Sequence, residues 1–394
     1  MTTNPLVERM QSFGTTIFAE MSSLAVATES VNLGQGMPDT DGPLEVAEAA
    51  IAAIRDGKNQ YPPLIGVPEL RHAVAEHQKR FYALDFDPDT EVLATAGATE
   101  AIAATMLALC EPGDEVVLFE PYYDSYAATV ALAGASRKVV PLRPDAEGRY
   151  EFDPAELRAA ISDRTKAILF NTPHNPTGKV FTAEETAFVA ALCIEHDLIA
   201  ITDEVYEHLV FDGRVHRPLV AEPGMRERTV QISSGGKTFS YTGWKIGWVC
   251  STPELISAVR TAKQFLTYVN GGPFQYAIAH GLRMPDAYFA AFVEDMQAKR
   301  DMLVAGLTDA GFDVFVPEGT YFVTADAAPI VGHDDFDGLD FARSLPERCG
   351  VVAVPNVVFY DNKELGRTLL RFAFCKQVPL LEEGVRRLRT MGAS

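Results

Sequence analysis

Short apolar runs alternate with helical patterns along the middle of the chain, from about residue 91 to residue 251. Most of the runs are continuously apolar, which is typical of strands that are covered on both faces. Such alternation predicts an α/β domain with a mostly parallel, seven-stranded sheet and a ligand site at the carboxyl ends of its strands. The seven predicted strands are residues 91–95, 115–120, 137–142, 167–171, 198–202, 229–233 and 245–250.

The segments on either side of this region have a different pattern. Helical apolar spacing predicts helices over residues 67–83, 253–266 and 288–307. Strands are predicted near 320–325, 351–355 and 369–374, followed by a helix around 381–388. We therefore expect a large domain over residues 43–285 and a smaller α+β domain over residues 286–394. The N-terminal segment, residues 1–42, is expected to join the smaller domain.

The charge balance restricts the possible partners. The chain has 394 residues, with 34 Lys and Arg against 54 Asp and Glu, and a formal net charge of −20. It lacks the basic surface that is typical of proteins that bind nucleic acids or anionic membranes. We expect neither partner, and an anionic ligand would have to be held by locally placed cations.

Cysteine and histidine usage indicates a reducing environment. The five cysteines are scattered and have no CxxC spacing, so neither a disulfide framework nor a zinc site is expected. The eight histidines show no metal-ligand spacing such as HExxH. Because the chain also shows no signal-peptide pattern and no stretch of 18 apolar residues, we expect a soluble cytoplasmic protein without a metal.

A lysine follows a glycine-rich turn at the end of one predicted strand. Residues 229–239 end in two serines, two glycines and then Lys237. The Gly-Lys-Thr sequence resembles the end of a Walker A motif, but Gln231 stands where that motif needs a glycine. A lysine on such a turn is sterically open, and its amine can form a Schiff base with an aldehyde. A solvated surface lysine is the alternative for the Gly-Lys pair taken alone.

Two further polar motifs follow predicted strands. Asn-Thr-Pro-His-Asn-Pro-Thr-Gly occupies residues 171–178, and Asp-Glu-Val-Tyr occupies residues 203–206. Taken alone, each is more typical of a turn former or a helix cap. Their appearance in this order with Lys237 indicates instead that the combination is not accidental.

Together with Lys237 and a late arginine, Arg371, these motifs resemble those of the fold-type I pyridoxal-phosphate enzymes, the class I aminotransferases. The resemblance extends from Asn32 to Phe374. Within the family it is closest to the N-succinyldiaminopimelate aminotransferases of bacterial lysine synthesis and nearly as close to the kynurenine, methionine and glutamine transaminases. It implies a pyridoxal 5′-phosphate cofactor in the large domain. It also implies ping-pong exchange of an amino group between an L-amino acid, glutamate as donor, and a keto acid.

The resemblance assigns the reactive end of the cofactor to four residues. Lys237 would bind the cofactor aldehyde and then act as general base and acid. Asp203 would keep the ring nitrogen protonated, which the cofactor needs to act as an electron sink. Asn175 and Tyr206 would donate hydrogen bonds to the 3′-oxygen.

The cofactor phosphate is expected at a strand-to-helix junction. Gly97, Ala98 and Thr99 would offer helix N-terminal amides there. Ser234 and Lys245 match the remaining phosphate ligands of the family. Relatives often carry arginine at the position of Lys245. The lysine would supply a compact charge instead of a planar guanidinium with several donors.

The resemblance places the remaining groups around the cofactor ring and the substrate. Tyr123 would stack on the ring, and Tyr126 would line the substrate pocket, with core packing as its alternative. Arg371 lies in an apolar strand and would bind the substrate α-carboxylate, while Gly36 would let the backbone approach that carboxylate. Tyr61 resembles a tyrosine that reaches the phosphate of the neighbouring subunit, which implies a homodimer with shared active sites.

The sequence leaves the substrate open, because no second arginine can be placed near a distal carboxylate. An aromatic, methionine or kynurenine transaminase would need an apolar pocket, with Tyr126 and Tyr268 as candidate walls. A cysteine-conjugate C–S β-lyase on the same fold would share nearly every residue named above. A non-enzymatic cofactor-binding protein is a further alternative.

Overall fold

The structure is a computed structural model that describes residues 5–14 and 16–391. The β-strands in this part of the chain are β1 (Val31–Asn32), β2 (Val92–Ala96), β3 (Glu115–Glu120), β4 (Ser136–Pro144), β5 (Tyr150–Phe152), β6 (Thr165–Asn171), β7 (Ile199–Asp203), β8 (Thr229–Ser234), β9 (Ile246–Cys250), β10 (Asp313–Phe315), β11 (Phe322–Asp326), β12 (Val351–Val352), β13 (Val354–Pro355) and β14 (Leu369–Ala373). The α-helices are α1 (Ile17–Ala27), α2 (Leu44–Arg55), α3 (Pro68–Tyr82), α4 (Gly97–Leu109), α5 (Asp124–Leu132), α6 (Pro154–Ala159), α7 (Ala183–Glu195), α8 (Gly235–Thr238), α9 (Pro253–Lys263), α10 (Gly272–Leu282), α11 (Asp286–Asp309), α12 (Ala328–Val331), α13 (Gly338–Cys349) and α14 (Val378–Leu388).

The larger sheet has eight strands in the order β2-β9-β8-β7-β6-β3-β4-β5. The strands from β8 to β4 are mutually parallel, whereas β9 is antiparallel to both of its neighbours and β5 is antiparallel to β4. All seven predicted strands are formed, so the predicted α/β class is confirmed. The sequence analysis missed β5, because its three residues are too few to show a period and pair only with the end of β4.

The central strands are apolar throughout because both faces of the sheet are covered. In β3, Val116 and Leu118 pack into one core cluster, while Val117 and Phe119 pack into another on the opposite face. Since successive side chains of a strand point to opposite faces, burial of both faces needs an unbroken apolar run.

A second sheet is built from the C-terminal part of the chain, in the antiparallel order β10-β11-β14-β13. Near it, Val31 and Asn32 of β1 pair in parallel with Val351 and Val352 of β12. The predicted strand over residues 351–355 is divided, because its first half pairs with β1 and its second half with β14.

One hydrophobic core joins the N-terminal segment to this second sheet. Met21 and Leu33 lie in the same cluster of buried side chains as Leu303 and Phe372. The same cluster includes Tyr206, from the turn after β7, so the two sheets meet beside that turn. Domain boundaries at residues 42 and 285 remain a prediction.

The predicted helices are formed with small differences at their ends. The spacing over 67–83 corresponds to α3, that over 253–266 to α9, and that over 288–307 to α11. Helix α9 ends at Lys263, three residues earlier than predicted. Among the described residues, no helix combines the length and the apolar character that are needed to span a membrane.

The antiparallel strand β9 runs very close to the turn that follows β2. A Cβ atom at Gly247 would lie 2.6 Å from the carbonyl carbon of Gly97 and 2.8 Å from its Cα. Contacts this short require the backbone to move. A glycine at position 247 therefore allows the junction between β2 and α4 to pack against the sheet.

We expect Gly247→Ala to lower the free energy of unfolding by about 1–3 kcal/mol, the usual cost of overpacking a tight site. The midpoint of urea unfolding measures the change. Gly243→Ala is the matched control, since a Cβ there meets nothing within 4 Å, and it should alter stability by less than about 0.5 kcal/mol. Equal midpoints for the two variants would contradict this packing argument.

Candidate active site

The carboxyl ends of the parallel strands open into a cavity of about 380 Å³. Thirteen of the fourteen residues predicted for the site line it, although they come from segments spread along most of the chain. These residues are Gly36, Gly97, Ala98, Thr99, Tyr123, Tyr126, Asn175, Asp203, Tyr206, Ser234, Lys237, Lys245 and Arg371. The exception is Tyr61, which lies elsewhere on the chain.

Lys237 follows β8 on the short helix α8. Its Nζ lies 5.6 Å from the ring centroid of Tyr321 and 5.9 Å from that of Tyr206, and it makes no hydrogen bond within the described part of the chain. Burial lowers the pKa of Lys237 to about 8. Roughly a tenth of the amine is therefore neutral, and nucleophilic, at pH 7.

Asp203 is the last residue of β7 and is buried in the cavity wall. Its Oδ2 accepts a 2.6 Å hydrogen bond from the Tyr126 hydroxyl, and its Oδ1 accepts a 3.3 Å bond from the Val205 amide. Burial raises the pKa of Asp203 to about 6, and the hydrogen bond from Tyr126 opposes that rise. The carboxyl group is therefore mostly ionised at pH 7 and can pair with a cationic ring nitrogen.

The start of α4 forms an anion-binding corner. Gly97, Ala98 and Thr99 are its first three residues, whose amides have no partners within the helix. The Nζ of Lys245 donates a 3.2 Å hydrogen bond to the Thr99 hydroxyl, and Ser234 lines the same corner. Helix N-terminal amides, a hydroxyl and a lysine are a donor set that suits a phosphate group.

Arg371 is 1% exposed and has no carboxylate within ion-pairing distance among the described residues. It donates 3.0 Å and 3.3 Å hydrogen bonds to Asn175 Oδ1 and the Gly34 carbonyl, while its Nε has no hydrogen-bond partner in the described structure. The guanidinium lies 3.9 Å from the Phe322 ring centroid. Burial lowers the pKa of Arg371 to about 10, so it remains a cation that can bind an anion.

Three other predicted residues complete the wall beside these charges. The Asn175 amide uses its oxygen for Arg371, which leaves its Nδ2 as a donor. Burial raises the pKa of Tyr206, so this side chain also remains a donor at neutral pH. The ring of Tyr123 meets that of Tyr126 edge-on, with the centroids 5.7 Å apart.

For two of the predicted residues, the structure shows contacts that differ from those expected. Tyr126 lines the cavity, but its hydroxyl is engaged with Asp203 and so orients that carboxylate. A Cβ at Gly36 would lie 2.4 Å from Phe322, so a glycine is needed there for the packing of that ring. Tyr268 does not line the cavity of its own chain; its ring contacts that of Tyr61, with the centroids 5.7 Å apart.

Sequence reasoning missed several aromatic residues near Arg371. Phe322 stacks on the guanidinium, and Phe18 of α1 lies 5.1 Å from it. Tyr321 donates a 2.7 Å hydrogen bond to the carbonyl of Gly36. None belongs to a motif, and the only signal in the sequence was the Tyr-Phe pair at the start of a predicted strand.

Comparison with known proteins assigns the chain to a family. The family model described as aminotransferase class I and II matches residues 28–388. The chain belongs to this family. It is 50% identical to the probable N-succinyldiaminopimelate aminotransferase DapC of Mycobacterium tuberculosis over 98% of both chains. It is 39% identical to the methionine aminotransferase of Escherichia coli, over 99% of this chain and all of the relative.

A solved structure shows the same fold. The N-succinyldiaminopimelate aminotransferase from Mycobacterium tuberculosis superposes with a TM-score of 0.95 and 50% identity, over 98% of this chain and all of the other. The protein is thus a fold-type I aminotransferase, an enzyme whose substrates are amino acids and keto acids. The family generally depends on pyridoxal phosphate, and the unpartnered Nε of Arg371 and the anion corner at α4 fit that cofactor with its substrate.

We expect Tyr126→Phe to raise the pKa of Asp203 further above its value of about 6, because the variant loses a donor to the carboxylate. The acid dissociation constant should fall roughly tenfold or more, as for loss of a hydrogen bond to a charged group. Infrared difference titration of the cofactor-free aminotransferase measures this. Tyr122→Phe is the control, since that hydroxyl bonds Asp361 instead; an unchanged Asp203 titration in Tyr126→Phe would disprove the assignment.

Proposed function

We propose that this aminotransferase binds pyridoxal 5′-phosphate in the cavity and uses it to exchange amino groups between an L-amino acid and a keto acid. The observation that carries the proposal is that Lys237, Asp203 and Arg371 line one cavity without forming ion pairs with one another. An amine nucleophile, a carboxylate and a free guanidinium are the three charged groups that this chemistry needs. When bound, the cofactor supplies an electron sink for the substrate α-carbon.

The chain itself would bind both ends of the cofactor. The α4 amides, Ser234 and Lys245 would hold the phosphate, and Asp203 would hold a proton on the ring nitrogen. Asn175 Nδ2 and the Tyr206 hydroxyl would donate to the 3′-oxygen, and Tyr123 would cover the ring face. Tyr126 would keep the Asp203 carboxylate oriented, which limits its motion during turnover.

The substrate would be oriented by its α-carboxylate. Arg371 would hold that group, while Asn175 and the stacked Phe322 ring keep the guanidinium in place. The Lys237 amine would then take the proton from the substrate α-carbon and later return a proton to it. Its lowered pKa suits both directions of transfer near neutral pH.

We further propose that the keto-acid substrate is the one that N-succinyldiaminopimelate aminotransferases use in lysine biosynthesis, with glutamate as amino donor. Support comes from the 50% identity to the Mycobacterium tuberculosis protein over nearly the whole chain, and from the equally close structural match. A homodimer with shared sites belongs to the same proposal, because Tyr61 is 81% exposed and lies outside the cavity of its own chain. The cytoplasmic location remains a prediction.

A methionine, aromatic or kynurenine transaminase is the second candidate, because much of the cavity wall is apolar. Phe18, Met37, Ile102 and Phe322 all line it. The cations among the described lining residues are Lys237, Lys245 and Arg371, each of which already has a proposed partner. A distal carboxylate would therefore need a cation from outside this set, whereas an apolar side chain would not.

We expect the cofactor to bond covalently to Lys237 alone. After borohydride reduction and unfolding, the wild type should retain the cofactor, and Lys237→Ala should lose it. The rate of attachment should rise about tenfold per pH unit up to about pH 8 and then level off, because the neutral amine reacts. Lys245→Ala is the matched control: it should bind the cofactor at least about tenfold more weakly yet still retain it after reduction. Full retention by Lys237→Ala would refute the proposed role.

Steady-state kinetics with 2-oxoglutarate as acceptor test the substrate. We expect kcat/KM for N-succinyl-diaminopimelate to exceed that for methionine and kynurenine by about 100-fold or more, as for a substrate whose extra polar groups are recognised. A higher value for methionine or kynurenine would support the second candidate. Pyruvate and ammonia released from a cysteine conjugate without any keto acid would support a β-lyase instead.

A further inference from the structure

A buried cluster of two histidines and a glutamate lies outside the cavity. His77 is on α3, while Glu207 and His208 are on the turn after β7. Their candidate ligand atoms all lie within 4.8 Å of one another. We propose that these three side chains bind one divalent transition-metal ion of the zinc type.

The hydrogen bonding within the cluster is incomplete. The Nε2 atoms of His77 and His208 are 2.7 Å apart, so the two rings share one proton. Glu207 is 4% exposed; its Oε1 accepts a 2.6 Å hydrogen bond from Ser233, but its Oε2 makes none within the described part of the chain. A buried carboxylate oxygen without a partner is costly, and a metal ion would satisfy it.

The donor set suits the ion. Two imidazole nitrogens and one carboxylate oxygen are a known combination for zinc, and imidazole also suits cobalt, nickel and copper. Because one of the two Nε2 atoms accepts the proton of the other, at least one of these nitrogens already presents its lone pair.

The distances between the three ligand atoms must adjust before they fit one ion. Ligand atoms of a tetrahedral zinc ion are about 3.4 Å apart, as its bond lengths of about 2.0–2.1 Å imply. The two Nε2 atoms would separate by roughly 0.7 Å as the metal replaces the shared proton. His208 is half-buried, so one side of the cluster is accessible from solvent.

The neighbouring side chains include groups that favour a bound metal ion and one cation that opposes it. Ser233 would hold the bound carboxylate in place, as hydrogen-bonded groups around metal ligands commonly do. The Tyr82 hydroxyl also faces Glu207. The charge of Arg80 acts on both histidines, but its side chain pairs with Asp286. This pairing reduces its repulsion of a metal ion.

A metal at this position would connect α3 to the turn that carries Tyr206 and follows Asp203. It would therefore stabilise the segment that supports the cavity, without contacting the cavity itself. The inference is independent of the proposed cofactor and substrate, since none of the three ligands lines the cavity. The sequence spacing could not indicate it, because His77 and His208 are 131 positions apart.

Titration of the chelator-treated holoenzyme with Zn²⁺ tests the proposal by calorimetry, and Co²⁺ provides a visible ligand-field spectrum as a second probe. We expect one ion per chain, tetrahedral cobalt bands and a Zn²⁺-dependent rise in Tm. His77→Gln and His208→Gln should each weaken binding at least about tenfold, as for loss of a metal ligand. His72→Gln, on the exposed face of the same helix, is the control and should bind as the wild type does.

Two results would overturn the proposal: no saturable ion in the wild type, or equal affinity in His208→Gln and the wild type. If His77→Gln does not fold, the half-buried position 208 and the wild-type cobalt spectrum still decide the question. Loss of cofactor binding or transamination would leave these readouts unchanged, so failure of the proposed function and failure of the metal site are distinguishable.

Discussion

Burial of unpaired charge in one cavity is the constraint on which the site depends. Removal from water favours the neutral form of each group. It raises the pKa of Asp203 and lowers the pKa values of Lys237 and Arg371. The chain counters this for two of them: Tyr126 donates to Asp203, and Asn175 and Phe322 hold the guanidinium of Arg371. Lys237 has no such support, and its amine is the more easily deprotonated of the two cations.

The two sheets make this arrangement possible. Parallel strands deliver Asp203 and Ser234 at their carboxyl ends, and the short helix that follows β8 delivers Lys237. The C-terminal sheet contributes Arg371 from β14, whose register with β11 places it opposite Thr324. One core includes residues of the C-terminal sheet and of the turn after β7, where the larger sheet ends. This close packing holds the charged groups at fixed positions despite the cost of burying them.

Aromatic rings take the place of counter-ions around Arg371. Phe322 stacks on the guanidinium, and the ring centroids of Phe18 and Phe359 lie 5.1 and 5.0 Å from it. Such rings attract a cation without neutralising it. The guanidinium therefore keeps a full charge for an anionic ligand, whereas a carboxylate partner would have occupied its donors.

Much of the fold and the residue types of the site could be predicted from the sequence. The continuous apolar runs determined seven strands of the large sheet, since burial on both faces leaves little freedom in residue type. The polar motifs at strand ends determined which residues face the cavity, because those ends meet at one edge of a parallel sheet. The strand β5 and the divided strand over residues 351–355 escaped prediction, as pairing partners rather than local pattern define them.

Only the tertiary structure decided which groups contact one another. The bond from Tyr126 to Asp203 joins residues 77 positions apart, and the contact between His77 and His208 joins residues 131 apart. Such contacts depend on how separate segments pack, and no local spacing records that packing. The sequence by itself thus determined the strands and the reactive residue types, while their partners, their burial and hence their charge states followed from the packing of distant segments.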